Sequence, residues 1–112
     1  MKPTVFVNVK NHMTIVKEEI FGPVLSVKAY DSEDETIRIA NGSKSGLHAA
    51  VLGTDFQRAR RVASQITAGH VVINNLTDYP LAPGGGFKYS GVGREYRRYG
   101  IEAFLEPRAI LG

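Results

Sequence analysis

Pro83-Gly84-Gly85-Gly86-Phe87-Lys88-Tyr89-Ser90-Gly91-Val92-Gly93-Arg94-Glu95 is the stretch on which the reading of this chain turns. Five of the ten residues from Gly84 to Gly93 are glycine. Glycine has no Cβ, so such a run permits positive φ, tight turns and close backbone approach. Two phosphate-binding patterns fail on it. A P-loop needs Gly-x-x-x-x-Gly-Lys-Ser/Thr opening a helix, whereas Lys88 follows Phe87 and Ser90 stands two places beyond the lysine. The dinucleotide fingerprint Gly-x-Gly-x-x-Gly fails because Gly91-Val92-Gly93 continues as Arg94-Glu95-Tyr96. Two readings stay open: a tight structural turn, or a functional loop of the kind that long connections in compact domains usually are.

Outward from this loop, strands and helices alternate. Upstream, Thr4–Val9 is β-branched and alternating and reads as a short strand or extended arm. Val24–Tyr30 reads as a stronger strand after the Gly22-Pro23 breaker. Ser32-Glu33-Asp34-Glu35 predicts a capping box, with Ser32 as the cap and Glu35 reaching back, in front of a helix that runs to Asn41-Gly42. His48–Gly53 and His70–Asn74 are short apolar runs typical of buried strands. Between them Asp55 caps a helix with Ala59, Val62, Ala63 and Ile66 on one face, expected to end near Ala68-Gly69. A long loop from Asn75 to Gly93, a short helix over Arg94–Tyr99 and a closing strand near Arg108–Leu111 complete the chain. The expected class is therefore α/β, one compact layered unit with a mostly parallel sheet, helices and a long glycine-rich loop.

The chain has 112 residues, enough for a single domain or a piece of a larger one. A domain of that size can bury roughly two-thirds of its unfolded surface, which leaves room for a real core. Hydrophobic residues at 43% and charged residues at 22% are those of an ordinary globular protein rather than a disordered one. The net charge is +3 and the pI about 9.3. Much of that excess lies in Arg58, Arg60, Arg61, Arg94, Arg97 and Arg98, on stretches that read as solvated helix faces. No aromatic-interleaved basic motif accompanies them, so nucleic acid is not an expected partner. No apolar run approaches the roughly 20 residues that span a bilayer, and no signal peptide is recognisable, so no membrane partner and a cytoplasmic location are expected.

Candidate chemistry is sparse. The chain has no cysteine, which removes disulfides, thiolate metal ligands and thiol catalysis together. His12, His48 and His70 show no ligand-like spacing to one another or to carboxylates, so no metal is expected. No serine–histidine–acid grouping can be assigned. Glu18-Glu19 taken alone reads first as a solvated turn before a strand, because neighbouring carboxylates form an acid–base pair only where the backbone turns them together. The residues taken alone give no catalytic mechanism and no catalytic residue.

Taken together in order, several segments resemble the C-terminal part of the catalytic domain of NAD(P)-dependent aldehyde dehydrogenases. Lys2-Pro3-Thr4 is similar to the family's Pro-Thr segment and Glu19-Ile20-Phe21-Gly22-Pro23 to its Glu-x-Phe-Gly-Pro motif. Asn41 with Gly46-Leu47 resembles Asn-x-x-x-aromatic-Gly-Leu, and Gly69 through Asn74 resembles the Gly-x-Val-x-x-Asn strand. Pro83 to Glu95 resembles Pro-Phe-Gly-Gly-x-Lys-x-Ser-Gly-x-Gly-Arg-Glu. Each segment is modest, but five in the right order are specific.

The resemblance implies that Glu19 accepts hydrogen bonds from the nicotinamide ribose and that Phe21 packs near the nicotinamide ring of NAD or NADP. It implies a substrate-side loop from Leu76 to Gly86, with Leu76, Tyr79 and Gly84 as its contacts. Gly84 stands where the family commonly has phenylalanine and Ser45 where it has an aromatic, so an altered, more open aldehyde pocket is expected. The parent reaction would be thiohemiacetal formation, hydride transfer and thioester hydrolysis. Its cysteine, general-base glutamate and oxyanion-stabilising asparagine lie upstream in that family, and the chain resembles its last quarter. That proportion suggests an engineered piece, a truncated reading frame or a split gene, inactive on aldehydes when alone. The expected partners are a second copy of the chain or a complementary N-terminal part, with the closing strand helping subunits associate; the alternative is a non-catalytic interaction or oligomerisation module that has kept the fold.

Overall fold

The computed structural model of this chain describes residues 1–77 and 79–112. In chain order its elements are β1 (Thr4–Val7), α1 (Thr14–Lys17), β2 (Val24–Val27), α2 (Glu33–Asn41), β3 (Ser45–Gly46), β4 (His48–Val51), α3 (Phe56–Ala63), β5 (His70–Ile73), β6 (Phe87–Lys88) and α4 (Arg97–Glu102). The class is α/β, and two of the three strand pairs among the described residues are parallel. Instead of one compact unit, the chain divides into two, Met1–Lys44 and Ser45–Gly112. The pairing explains the division, because no described strand of one unit is hydrogen-bonded to a strand of the other.

In the first unit β1 and β2 pair in parallel, Thr4 opposite Val24 and Val7 opposite Val27. The strand expected to reach Tyr30 stops at Val27, because Asn8 takes φ 56° and carries the partner chain away. The cap of α2 forms as expected, the Glu35 amide donating to Ser32 Oγ at 3.2 Å. The reciprocal arm differs by one residue. Glu35 Oε2 accepts from the Asp31 amide at 2.9 Å rather than from Ser32. Three acids in the first turn also suit the positive end of the helix dipole.

In the second unit β4, α3 and β5 form a βαβ unit, with His48 opposite His70 and Val51 opposite Ile73. Helix α3 packs on both strands and buries Ala59 and Val62 from the expected face. Asp55 Oδ1 accepts from the Arg58 amide at 2.9 Å, the predicted cap. The helix ends at Ala63, before the expected Ala68-Gly69. Its exit is overwound: Gln65 and Ile66 donate to Val62 and Ala63, three residues back, which tightens the last turn. Asn74, at φ 52°, closes the far end of the strand pair. Its amide accepts from Gly53 N and donates to Gly53 O, each at 2.8 Å.

Three further expectations need correction. The loop from Asn75 to Gly93 contains a short strand, β6, paired antiparallel with β3. The last helix begins at Arg97, not Arg94, because Glu95 is held in an antiparallel bridge with Gly84 and Tyr96 takes φ 68°. No strand forms at Arg108–Leu111; residues 103–112 are exposed, and without a partner strand an extended backbone leaves its polar groups to water.

The core is small. Among the described residues the buried apolar side chains are Val9, Ala59 and Val62, and no large side chain is fully enclosed. The two strands expected to be buried are only half-buried; β4 alternates exposed and half-buried residues and β5 is half-buried throughout. Among the described residues no helix is long and apolar enough to cross a membrane.

Candidate functional site

The glycine-rich loop folds back on the βαβ unit and is braced at several points. Gly84 N donates to Glu95 O at 3.0 Å and Glu95 N to Gly84 O at 2.8 Å, which zips the two ends of the loop together. Ser90 Oγ accepts from the Gly46 amide at 2.9 Å and ties the loop to β3. The Arg94 guanidinium lies 4.4 Å from the centre of the Phe87 ring, a cation–π contact. The same group donates to the carbonyls of Gly86 and Gly93. Gly85, Gly91 and Gly93 have φ of 130°, 136° and 81°, in the region that L side chains avoid.

This arrangement forms an open concavity of about 510 Å³. Gly84, Gly85 and Gly86 line it together with Leu47, Val92 and Tyr96, and Glu95 belongs to the same lining. His48 and His70, side by side through the strand register, complete the lining, their rings edge to face with centres 6.1 Å apart. His70 Nε2 is 2.7 Å from the Pro83 carbonyl, which orients that ring towards the loop. Among the described residues no group of three or more histidines, cysteines, aspartates or glutamates is placed to hold a metal ion. The lining mixes apolar residues, Leu47, Val92 and Tyr96, with polar ones, His48, His70, Ser90 and Glu95, and it contains no assembled nucleophile and base, so its chemistry is that of binding rather than of attack.

The sequence-predicted residues divide between three places. Gly84 is buried and lines the concavity. The space over Gly84 is not open: a Cβ built there would stand 2.5 Å from Tyr96 Cε2. Leu76 and Tyr79 belong to the preceding loop, are 78% and 64% exposed and do not line the concavity. Asn75 Oδ1 holds that loop by accepting from the Leu76 and Thr77 amides; Asp78, within the expected substrate-side stretch, lies outside the described residues. Glu19 and Phe21 sit in the first unit, on the connection between α1 and β2. Two tight bonds shape that connection, Gly22 N to Ile20 O and Val24 N to Gly22 O, both 2.7 Å. Phe21 is 95% exposed, and Glu19 is exposed with its carboxylate bonded to no other described residue. Sequence reasoning missed Leu47, His48, His70 and Tyr96 as neighbours of Gly84. The signal for the histidines was their matching position at the head of each strand of a βαβ unit.

Comparison with known proteins agrees with the order of motifs. The sequence profile described as the aldehyde dehydrogenase family matches residues 1–110. A Staphylococcus epidermidis protein assigned as an aldehyde dehydrogenase is 53% identical over 111 residues, covering 99% of this chain and 23% of its own length. A similarly assigned protein of Staphylococcus haemolyticus is 51% identical over the same proportions, 99% and 23%. Among solved structures, a cysteine-to-alanine mutant of aldehyde dehydrogenase C from Pseudomonas syringae, complexed with NAD+ and octanal, superposes with a TM-score of 0.88 at 53% identity, over 93% of this chain and 21% of that one. A Mycobacterium tuberculosis aldehyde dehydrogenase complexed with NAD+ gives 0.88 at 47% identity, over 91% and 21%. The chain thus spans less than a quarter of the curated relatives it matches.

Proposed function

The chain belongs to the aldehyde dehydrogenase family, and from that premise we propose that residues 1–112 are a C-terminal part of the catalytic domain of an NAD(P)-dependent enzyme that oxidises an aldehyde to a carboxylic acid. The observation that carries the proposal is the connection at residues 18–23, which presents an exposed carboxylate, bonded to no other described residue, and an exposed aromatic ring two residues apart. That pair fits a nicotinamide riboside. Glu19 offers two carboxylate oxygens to adjacent hydroxyls, and a hydrogen bond to a charged acceptor is the strong kind. Phe21 supplies a flat apolar face against which a nicotinamide ring can be oriented. When bound, the nicotinamide supplies the hydride acceptor. On the substrate side, Leu76, Tyr79 and Gly84 would contact the aldehyde. The chain contributes no thiolate, since it has no cysteine, and we propose that alone it does not turn over aldehydes.

A hybrid enzyme tests this. The chain is joined in place of the matching segment of the Pseudomonas syringae enzyme, whose own cysteine is kept, and assayed with octanal. The hybrid is expected to reduce NAD+, while the isolated chain does not. Glu19→Gln in the hybrid is expected to raise KM for NAD+ about tenfold, the worth of one charge-assisted hydrogen bond. An unchanged KM and kcat in Glu19→Gln would remove Glu19 from the cofactor site, and aldehyde-dependent NAD+ reduction by the isolated chain would refute its inactivity.

A second reading is favoured by the exposed apolar side chains, Phe21, Leu76, Val92, Phe104 and Leu111 among them. On that reading the chain is an interaction or oligomerisation module, and it associates with a second copy or with a complementary N-terminal part. A cytoplasmic location belongs to both readings, in keeping with a chain that uses no disulfide.

A further inference from the structure

The concavity's wall over Gly84 is made by a side chain twelve positions away. Gly84 is bridged to Glu95, so the residue after Glu95 stands at its edge. That residue is Tyr96, and Gly84's missing Cβ would lie 2.5 Å from its Cε2 and 2.7 Å from its Cδ2. Carbon atoms in contact sit roughly 3.5–4.0 Å apart, so the ring and a side chain at 84 exclude one another. Tyr96 holds this place with φ 68° and ψ 145°, a backbone conformation that a bulky residue rarely adopts. Such an outlier persists only where the surroundings over-determine it, and these conformations collect at binding sites. Gly84 itself does not have a positive φ, so steric exclusion alone decides what it can carry.

We propose that Tyr96, resting on Gly84, is the gate of this concavity and sets the bulk of the small ligand it admits. The ligand class follows from the lining, where Leu47 and the Tyr96 ring suit the hydrocarbon body of a small carbonyl compound and the Ser90 hydroxyl stands among polar neighbours suited to its oxygen. Only that choice of ligand rests on the substrate-side reading of the loop; the packing of the ring on Gly84 does not.

Three measurements on the 112-residue chain test the proposal. In the unsubstituted protein, NMR is expected to show an upfield-shifted Gly84 Hα with cross-peaks to the Tyr96 ring protons; their absence overturns it. In denaturant unfolding, Gly84→Ala is expected to lower the folded-to-unfolded ratio about tenfold, as overpacking does. In the Tyr96→Ala background the same change is expected to cost less than about twofold, a coupling that contact alone produces. Equal losses in both backgrounds overturn it, and a Gly84→Ala chain that folds only when Tyr96 is also alanine supports it. Titration with 1-octanol, an unreactive stand-in for an aliphatic aldehyde, is expected to shift the Leu47 methyls at lower concentration in Tyr96→Ala than in the unsubstituted protein. Coupling without any octanol response overturns the gate while leaving the ring's packing intact, and neither result bears on Glu19, so failure here is separable from failure of the cofactor reading.

Discussion

At Gly69 the protein tolerates no side chain at all. A Cβ there would overlap the Gly85 carbonyl oxygen, and backbone cannot swing aside as a flexible side chain can. Gly69→Ala is expected to destabilise the fold by about 3 kcal/mol, at the upper end of overpacking costs. Gly53 is the control. Nothing lies within 4 Å of its would-be Cβ and its φ is not positive, so Gly53→Ala is expected to be neutral or to stabilise by about 0.5 kcal/mol through the unfolded chain. Paired urea unfolding curves decide this, and equal losses at the two positions would show that the backbone crossing is not the constraint. The glycine density from Gly84 to Gly93 was legible as close approach or positive φ. Which backbone would be approached was not, because Gly69 and Gly85 are brought together only when the loop folds back on β5.

At the scale of the element, the caps carry the helices. Ser32 Oγ and Asp55 Oδ1 each satisfy one amide that the helix cannot, and both were readable from spacing because a cap acts over three residues. Ser32→Ala is expected to cost about 1 kcal/mol of stability, measured by the same unfolding; a change within error would mean that Glu33–Asn41 is held by packing alone. Two of the elements misplaced in the sequence reading share a cause. The start of α4 and the missing strand at 108–111 are each decided by a partner distant in sequence or by the lack of one, whereas α3 ends early through the locally tightened turn at Gln65 and Ile66. Gly84 claims Glu95 and so delays α4, and no described strand accepts the 108–111 segment. The Arg94 brace was unreadable for the same reason, since its acceptors are backbone carbonyls whose positions the loop alone determines.

For the whole molecule the decisive quantity is the apolar surface left outside. Phe104 is 89% exposed, Ile110 82% and Leu111 93%, and they follow one another along the last ten residues. Apolar surface of this kind drives association. Light scattering coupled to gel filtration is expected to show mass rising with concentration, and Phe104→Ser with Leu111→Ser to lower it while far-ultraviolet circular dichroism stays unchanged. A monomer at every concentration would remove self-association and leave the complementary part as the partner to seek.

What the sequence by itself determined is what depends on neighbours along the chain. The alternation of strands and helices, both helix caps, the helical face of Ala59 and Val62, and the ordered motifs that identify the family all belong to that class. Tertiary structure alone decided the division into two units, the pairing of His48 with His70 and the seating of Tyr96 on Gly84. Hydrophobic period and capping act over three or four residues, whereas those contacts join positions many residues apart, and their distances exist only after the loop has closed.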